Sequence, residues 1–187
     1  ELDSLLEDFE EHYPAYHQLK YQNRQGILPL LAERQPSLIT YFWGDQFVLV
    51  QGYEQGVLAQ HIIPRAELDA GLKSVLQHIY SEGQNHNAFV ANSHQLYEQL
   101  LGPILRAFGG VNRELIIIPD GELALLPFEI LLTEAVIEPA SDPSVLYKGL
   151  PYLMQSYEIQ YAYSASLRFQ DPLAERRKTG GLDQLLA

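Results

Sequence analysis

The sequence has 187 residues, of which 47% are hydrophobic, and this suffices for one ordinary domain with a real core. Its 24 acidic and 12 basic residues give a formal charge of −12, which disfavours binding to nucleic-acid phosphates. The absence of cysteine excludes disulfides, thiolate metal sites and a cysteine nucleophile within these residues. No apolar run reaches the roughly 18 residues of a membrane span and no signal peptide is recognisable, so we expect a cytoplasmic protein without a membrane partner.

The first 26 residues are predicted to form a helical linker. Leu2, Leu5 and Phe9 recur at helical spacing, and Pro14 either starts a second helix or kinks the first. The segment is apolar on one stripe and acidic elsewhere, so its stripe needs a partner. That partner is either the domain behind it or a helical region ahead of it.

A β-meander is predicted next, with strands at Leu38–Trp43, Gln46–Val50 and Val57–Ile63. Gly44-Asp45 suits a two-residue primed turn between the first two strands, and GYEQG (52–56) is predicted to form the second turn. Apolar residues point to both sides of the strands. The sheet is therefore expected to be covered on at least part of both faces.

Two helices are predicted between the meander and the next strand. The first follows Pro64 and ends near Gly83. The second is predicted to start at Asn92, because Asn92 and Gln95 have the spacing of an N-cap and its reciprocal partner three residues later. It is predicted to kink at Pro103. Gly109 and the glycine after it are predicted to end that helix.

The stretch RELIIIPDGELALLPFEILL (113–132) carries the candidate chemistry. Its strand, Glu114–Ile118, lacks polar alternation and is predicted to be buried on both faces. Asp120 and Glu122 then follow where α/β sheets bind ligands, so catalytic acids or a magnesium site are one interpretation. The other is a structural corner, in which Asp120 bonds its own backbone two residues on and Gly121 takes a positive φ. We interpret the stretch as a corner.

Glu129 is a carboxylate inside the apolar run LLPFEILL, so it needs a partner or a place at a helix start. Pro127 suits a first helical position, and a carboxylate in the first turn is stabilised by the helix dipole. We therefore predict a structural role for Glu129 as well.

The C-terminal part is predicted to contain a short helix, a strand around Glu158–Ala162, and a last helix that starts at Ser164 or Ser166. Tyr161 and Tyr163 are two residues apart and are interpreted as one face of the strand. The sequence stops on the apolar run LDQLLA, after which we expect a further strand.

Other motifs do not identify a metal site or a nucleophile. There is no HExxH or HxH among the six histidines, and no GxSxG surrounds the candidate serines. The six histidines are His12, His17, His61, His78, His86 and His94, and the candidate serines are Ser156, Ser164 and Ser166. We predict no catalytic, cofactor-binding or metal-binding residue in this chain.

The order of the segments is more specific than any one of them, and it resembles the CHAT domain, the caspase-like domain usually found behind tetratricopeptide repeats. In that family a helix with L…L..P precedes L.I.PDG.L..LPFE.L, and a segment similar to YL...Y.I.Y.PSASL follows. The matching positions of the first two motifs are Leu96, Leu100, Pro103, Leu115, Ile117, Pro119, Asp120, Gly121, Leu123, Leu126, Pro127, Phe128, Glu129 and Leu131. Those of the third are Tyr152, Leu153, Tyr157, Ile159, Tyr161, Ser164, Ala165, Ser166 and Leu167, with Tyr163 where a proline is common.

The resemblance implies a mixed α/β fold with N-terminal helices, a β-meander and a helix-flanked, partly parallel caspase-like sheet. Residues 27–187 would then be the N-terminal portion of a CHAT domain from a bacterial, cytoplasmic protein. The family's catalytic histidine lies in a His-Gly pair and its cysteine in a later strand-end motif, both C-terminal to the SASL helix. This chain contains neither a His-Gly pair nor a cysteine.

We therefore expect a non-catalytic N-terminal fragment of a CHAT-type cysteine peptidase, without a cofactor, that acts as a scaffold and interaction surface. Its expected partners are the preceding helical repeats and the missing C-terminal half of the domain. A sheet without its later strands would expose an unpaired edge, so self-association is also expected. One alternative is a pseudo-caspase interaction module, and another is a metal-dependent hydrolase that uses Asp120 and Glu122.

Overall fold

The structure is a computed structural model, and it describes residues 31, 33–81, 85–110, 112–136 and 147–169. Internal contacts divide the chain into two units, one formed by Gln35–Tyr161 and the other by Glu1–Arg34 together with Ala162–Ala187. The predicted helical linker at 1–26 and the tail after Phe169 lie outside the described residues. The second unit contributes one described helix, Ala165–Phe169, which follows Ser164 as predicted.

One mixed sheet organises the unit Gln35–Tyr161. Its order is β3-β2-β1-β4-β5, in which β1, β2 and β3 are antiparallel neighbours and β1, β4 and β5 are parallel neighbours. The strands are β1 Leu38–Trp43, β2 Phe47–Glu54, β3 Val57–Pro64, β4 Glu114–Ile118 and β5 Glu158–Tyr161. The meander and the partly parallel α/β sheet predicted from the sequence are thereby confirmed.

The first hairpin turn is displaced by one residue from its predicted position. The Gly44 N–H donates to the Phe47 carbonyl at 3.0 Å, so the turn is centred on Asp45 and Gln46. Neither central residue has a positive φ, whereas a type I′ turn requires one at both positions. The prediction of a primed turn at Gly44-Asp45 was therefore wrong.

The primed turn occurs instead between β2 and β3. Gln55 and Gly56 have φ values of 47° and 87°, and the flanking Glu54 and Val57 are paired. The prediction that all of GYEQG forms the turn was wrong, because β2 continues through Glu54. Gly52 instead serves packing, since a Cβ there would overlap with Ile104 on the helix above the strand.

In the described part of this unit three helices follow: α1 Arg65–Tyr80, α2 His86–Leu100 and α3 Gly102–Phe108. The predicted start at Asn92 was wrong, because the Asn85 side chain caps α2 by accepting from the Ala88 N–H. Pro103 does not kink a long helix, since it lies at the start of the separate α3, where its missing N–H costs nothing. Gly109 ends α3 with a φ of 79°, as predicted.

The helices and one face of the sheet form the hydrophobic core of this unit. Tyr41 anchors that face, because its hydroxyl donates to the Leu100 carbonyl at the end of α2 at 3.1 Å. Burial raises the pKa of the Tyr41 phenol well above its ordinary value, so it remains protonated and keeps donating. The core side chains from the strands are Ile39, Tyr41, Val48, Val50, Ile63, Leu115 and Ile117.

The opposite face of the meander is covered only in part. Leu38 and Tyr53 are buried there, but Phe42, Leu58 and Ile62 are 57%, 65% and 60% exposed. Phe42 and Ile62 both flank Leu49 in register, so they form one apolar row across three strands. The predicted coverage of both faces therefore holds at Leu38 and Tyr53, and it fails at Phe42 and Ile62 and along the edge strand at Leu58.

Candidate functional site at the carboxyl ends of the parallel strands

Asp120 lies directly after β4 and joins that strand to β1. One carboxylate oxygen accepts the Trp43 backbone N–H at 2.8 Å, and the other accepts the Gly121 N–H at 2.9 Å. The Asp120 carbonyl also accepts the Leu123 N–H, which starts a 3₁₀ turn at Gly121–Leu125. Asp120 thus caps the turn through its own backbone, as the corner interpretation predicted, although its carboxylate bonds the next residue and not the one two positions on. Its bond to Trp43 also clamps β1 to β4, which was not predicted.

Gly121 brings the corner against the indole of Trp43. Its φ is +56°, and an added Cβ would overlap with the Trp43 side chain. The guanidinium of Arg65 lies 4.6 Å from the ring centroid of Trp43 and reaches Glu122 at 3.8 Å. Since the Glu122 side chain is 60% exposed, this ion pair contributes little to stability.

Glu129 finds its partner on β5. The Tyr161 hydroxyl donates to the Glu129 carboxylate at 2.6 Å and accepts the Phe128 backbone N–H at 2.9 Å. Glu129 lies in a short 3₁₀ turn, Phe128–Ile130, that follows Pro127. Burial first, and then the hydrogen bond to Glu129, raise the pKa of Tyr161 well above its ordinary value.

The segment around Glu129 is also bonded to α2. The buried Ser93 hydroxyl donates to the Ile130 carbonyl at 2.9 Å, and His94 Nδ1 lies 3.0 Å from the Leu132 carbonyl oxygen. A hydrogen carried by His94 Nδ1 is therefore donated to the Leu132 carbonyl. On the other side, the Leu153 N–H donates to the Leu131 carbonyl at 2.8 Å.

A family model of the CHAT domain matches residues 90–185, which is just over half of the chain. The chain belongs to the CHAT domain family. No curated protein and no solved structure matches it. The mixed five-stranded sheet with its three helices is consistent with the caspase-like α/β fold of CHAT domains.

The structure explains why the CHAT motifs occur together. The Asp120 carboxylate of the PDG motif holds the end of β1 against the end of β4. The Glu129 carboxylate of the LPFE motif meets Tyr161, which belongs to the next motif in the chain. The sequence interpretation missed this role, since it assigned Tyr161 and Tyr163 to one strand face. That assignment was wrong, because β5 ends at Tyr161 and Tyr163 is 99% exposed.

The remaining candidates that the structure describes do not converge on a metal site. Among the described residues, no three or more His, Asp or Glu side chains are grouped in a way that could hold a metal ion. His12 and His17 lie outside those residues. His78 hydrogen-bonds to the Tyr147 hydroxyl at 2.8 Å and stacks on Phe89, with ring centroids 4.6 Å apart.

A cavity of about 350 Å³ opens at the opposite end of the parallel strands. Arg113 precedes β4 and Tyr157 precedes β5, and both line this cavity together with Thr133, Glu134 and Ser156. It is therefore separate from residues 120–129 at the carboxyl ends, which we call the CHAT corner.

None of the helices in the described ranges combines the length and the hydrophobicity of a membrane-spanning segment.

Proposed function

We propose that this chain is the scaffold and interaction portion of a cytoplasmic CHAT-type cysteine peptidase and performs no chemistry itself. The thiolate and the imidazole would come from residues outside these 187. The proposed partners are helical repeats ahead of the chain and the half of the domain that carries the catalytic pair. The observation that carries this proposal is the engagement of both motif carboxylates, Asp120 and Glu129, in internal hydrogen bonds.

A carboxylate that acts as a general acid or base must reach the substrate with a free oxygen or proton. Both oxygens of Asp120 accept backbone N–H groups, and Glu129 accepts the Tyr161 hydroxyl. The raised pKa of Tyr161 keeps that phenol protonated at neutral pH, so the donor stays in place. These contacts favour a role in positioning the strand ends.

The position of these contacts supports the proposed scaffold role. The strands β1, β4 and β5 run parallel, so their carboxyl ends meet at one edge of the sheet. Asp120 joins the ends of β1 and β4. The hydroxyl of Tyr161, at the end of β5, accepts the Phe128 N–H. A cysteine and a histidine delivered to this edge would need such fixed neighbours, because a thiolate and its imidazole must stay within hydrogen-bond reach.

A peptidase assay on the purified chain tests the proposal. We expect no cleavage of casein or of a mixed fluorogenic peptide library, with or without divalent metal. Asp120→Asn and Glu129→Gln should change only the stability of the protein. Metal-dependent cleavage that Asp120→Asn abolishes while the fold is retained would favour the hydrolase alternative and contradict the proposal.

A pseudo-caspase interaction module is the second candidate. It is favoured by the exposed apolar row that contains Phe42 and Ile62, since such patches mark interaction surfaces. The reading frame after Ala187 separates the two candidates. A downstream His-Gly pair and a cysteine would support the peptidase, and their absence would support the module.

A further inference from the structure

The edge strand β3 lacks the features that usually protect a sheet edge. Within the described residues it pairs only with β2, over eight residue pairs. Residues 55–64 contain no Asp, Glu, Lys or Arg, although the whole chain carries a charge of −12. Edge strands commonly carry charges, bulges or internal prolines that prevent pairing with another chain, and Pro64 lies only at the end of this one.

The turn before β3 determines which backbone groups face outward. In a two-residue hairpin the closing pair, here Glu54 and Val57, exchanges hydrogen bonds, and these pairs alternate along the ladder. The N–H and C=O groups of Leu58, Gln60 and Ile62 therefore point away from β2. The side chains of these three residues lie on the exposed face of the sheet, with Leu58 65% and Ile62 60% exposed.

The apolar pattern of β3 is symmetric about Gln60. Leu58 precedes it by two residues and Ile62 follows it by two, and both are exposed. In an antiparallel pair of two identical strands centred on Gln60, each Leu58 would face the Ile62 of the other copy. All six outward backbone groups of each strand would find partners, and no like charges would meet.

We propose that β3 pairs with β3 of a second copy about a two-fold axis at Gln60, which joins the two sheets into one. The occupant is a second copy because the pattern is self-complementary and uncharged. In a two-fold dimer both copies contribute the same surface, so that surface must be complementary to itself. In this register the row of Phe42, Leu49 and Ile62 in one copy would continue into Leu58 of the other copy. It stands independently of the proposed function, since it involves neither the CHAT corner nor any residue outside the chain.

Single-cysteine cross-linking tests the pairing directly, because the chain has no native cysteine. The two Gln60 Cα atoms of a hydrogen-bonded antiparallel pair would lie about 5.5 Å apart, which suits a disulfide. Under mild oxidation Gln60→Cys should therefore form a covalent dimer. The matched control is Gln51→Cys, an exposed residue of the same type that faces Gln60 from β2. It should remain at 21.2 kDa under the same conditions.

Charge variants supply a second test that does not depend on oxidation. Gln60→Lys and Gln60→Glu each place like charges directly opposite each other, so each should weaken the dimer by about 10-fold or more. An equal mixture of the two variants should restore it, whereas Gln51→Lys should have little effect. The proposal would be overturned by a wild-type monomer at about 200 µM in sedimentation equilibrium. It would equally be overturned by a failure of Gln60→Cys to cross-link, or by equal cross-linking of Gln51→Cys.

Discussion

The strands β4 and β3 have similar compositions but opposite environments. Both are rich in aliphatic residues, yet β4 is paired on both sides and four of its five residues are buried. β3 pairs with β2 alone among the described strands, and only Ile63 of its eight residues is buried. An apolar strand therefore does not reveal from its composition whether it is a centre or an edge. The strands that pair beside it determine whether it is central or at an edge, and they come from distant parts of the chain.

The largest contrast is expected between two isoleucines. Ile117 in the central strand β4 is fully buried, so Ile117→Ala should lower the free energy of unfolding by about 2–5 kcal/mol. Ile62→Ala on the exposed face of β3 should stay within about 0.5 kcal/mol. Chemical denaturation at low protein concentration measures both. Equal losses would show that β3 is not an exposed edge.

Two glycines with positive φ provide the next contrast. Gly121→Ala combines left-handed strain with an overlap against Trp43, and it should cost about 2–4 kcal/mol. Gly56, in the turn before β3, has nothing within 4 Å of an added Cβ, so Gly56→Ala should cost only the strain of about 1–2 kcal/mol. Thermal unfolding of both variants measures the difference, and a smaller loss for Gly121→Ala would contradict the close packing at the corner.

Removal of the two acidic side chains after β4 should have unequal effects. Asp120→Ala loses two hydrogen bonds from backbone N–H groups and should cost about 1–2 kcal/mol. Glu122→Ala loses only an exposed ion pair with Arg65, so its effect should stay within about 0.5 kcal/mol. Urea denaturation compares them. The corner interpretation would be wrong if Glu122 proved to be the more important residue.

The smallest effect is expected in how the free energy of unfolding depends on pH, through His78 on α1. Burial first, and then the neighbouring His86, lower the pKa of His78 below 6.5, so the folded state favours the neutral imidazole. The unfolded chain then binds more protons, and the free energy of unfolding should fall as the pH drops below 6.5. His78→Phe retains a ring to stack on Phe89 and should make this decrease shallower. An unchanged slope between pH 7 and 5 would exclude His78 as its source.

Local signals allowed much of the fold to be predicted. The bounds of β1 and β4 and the cap at Gly109 were predicted correctly, because strand composition and glycine at a helix end act within a few residues. The cap of α2 was misplaced because Asn85 and Asn92 are chemically equivalent signals. Only the structure shows that Asn92 donates to Ser74 on α1 instead.

The candidate site was predictable in part. The PDG motif indicated a turn from its own residues, and Glu129 indicated that a partner was needed. The identity of that partner depended on β5 lying beside β4, and Tyr161 is 32 residues away in sequence. The Trp43 backbone contact with Asp120 is still more distant, at 77 residues. No local pattern predicts either contact.

The central claim is that the motif carboxylates hold the carboxyl ends of the parallel strands in place, and a double-mutant cycle on Glu129 and Tyr161 tests it most directly. Glu129→Ala, Tyr161→Phe and the double variant are compared with the wild type by denaturation at pH 7. The claim predicts a coupling free energy of about 1 kcal/mol or more, since each single variant breaks the same hydrogen bond. Strictly additive losses would contradict it.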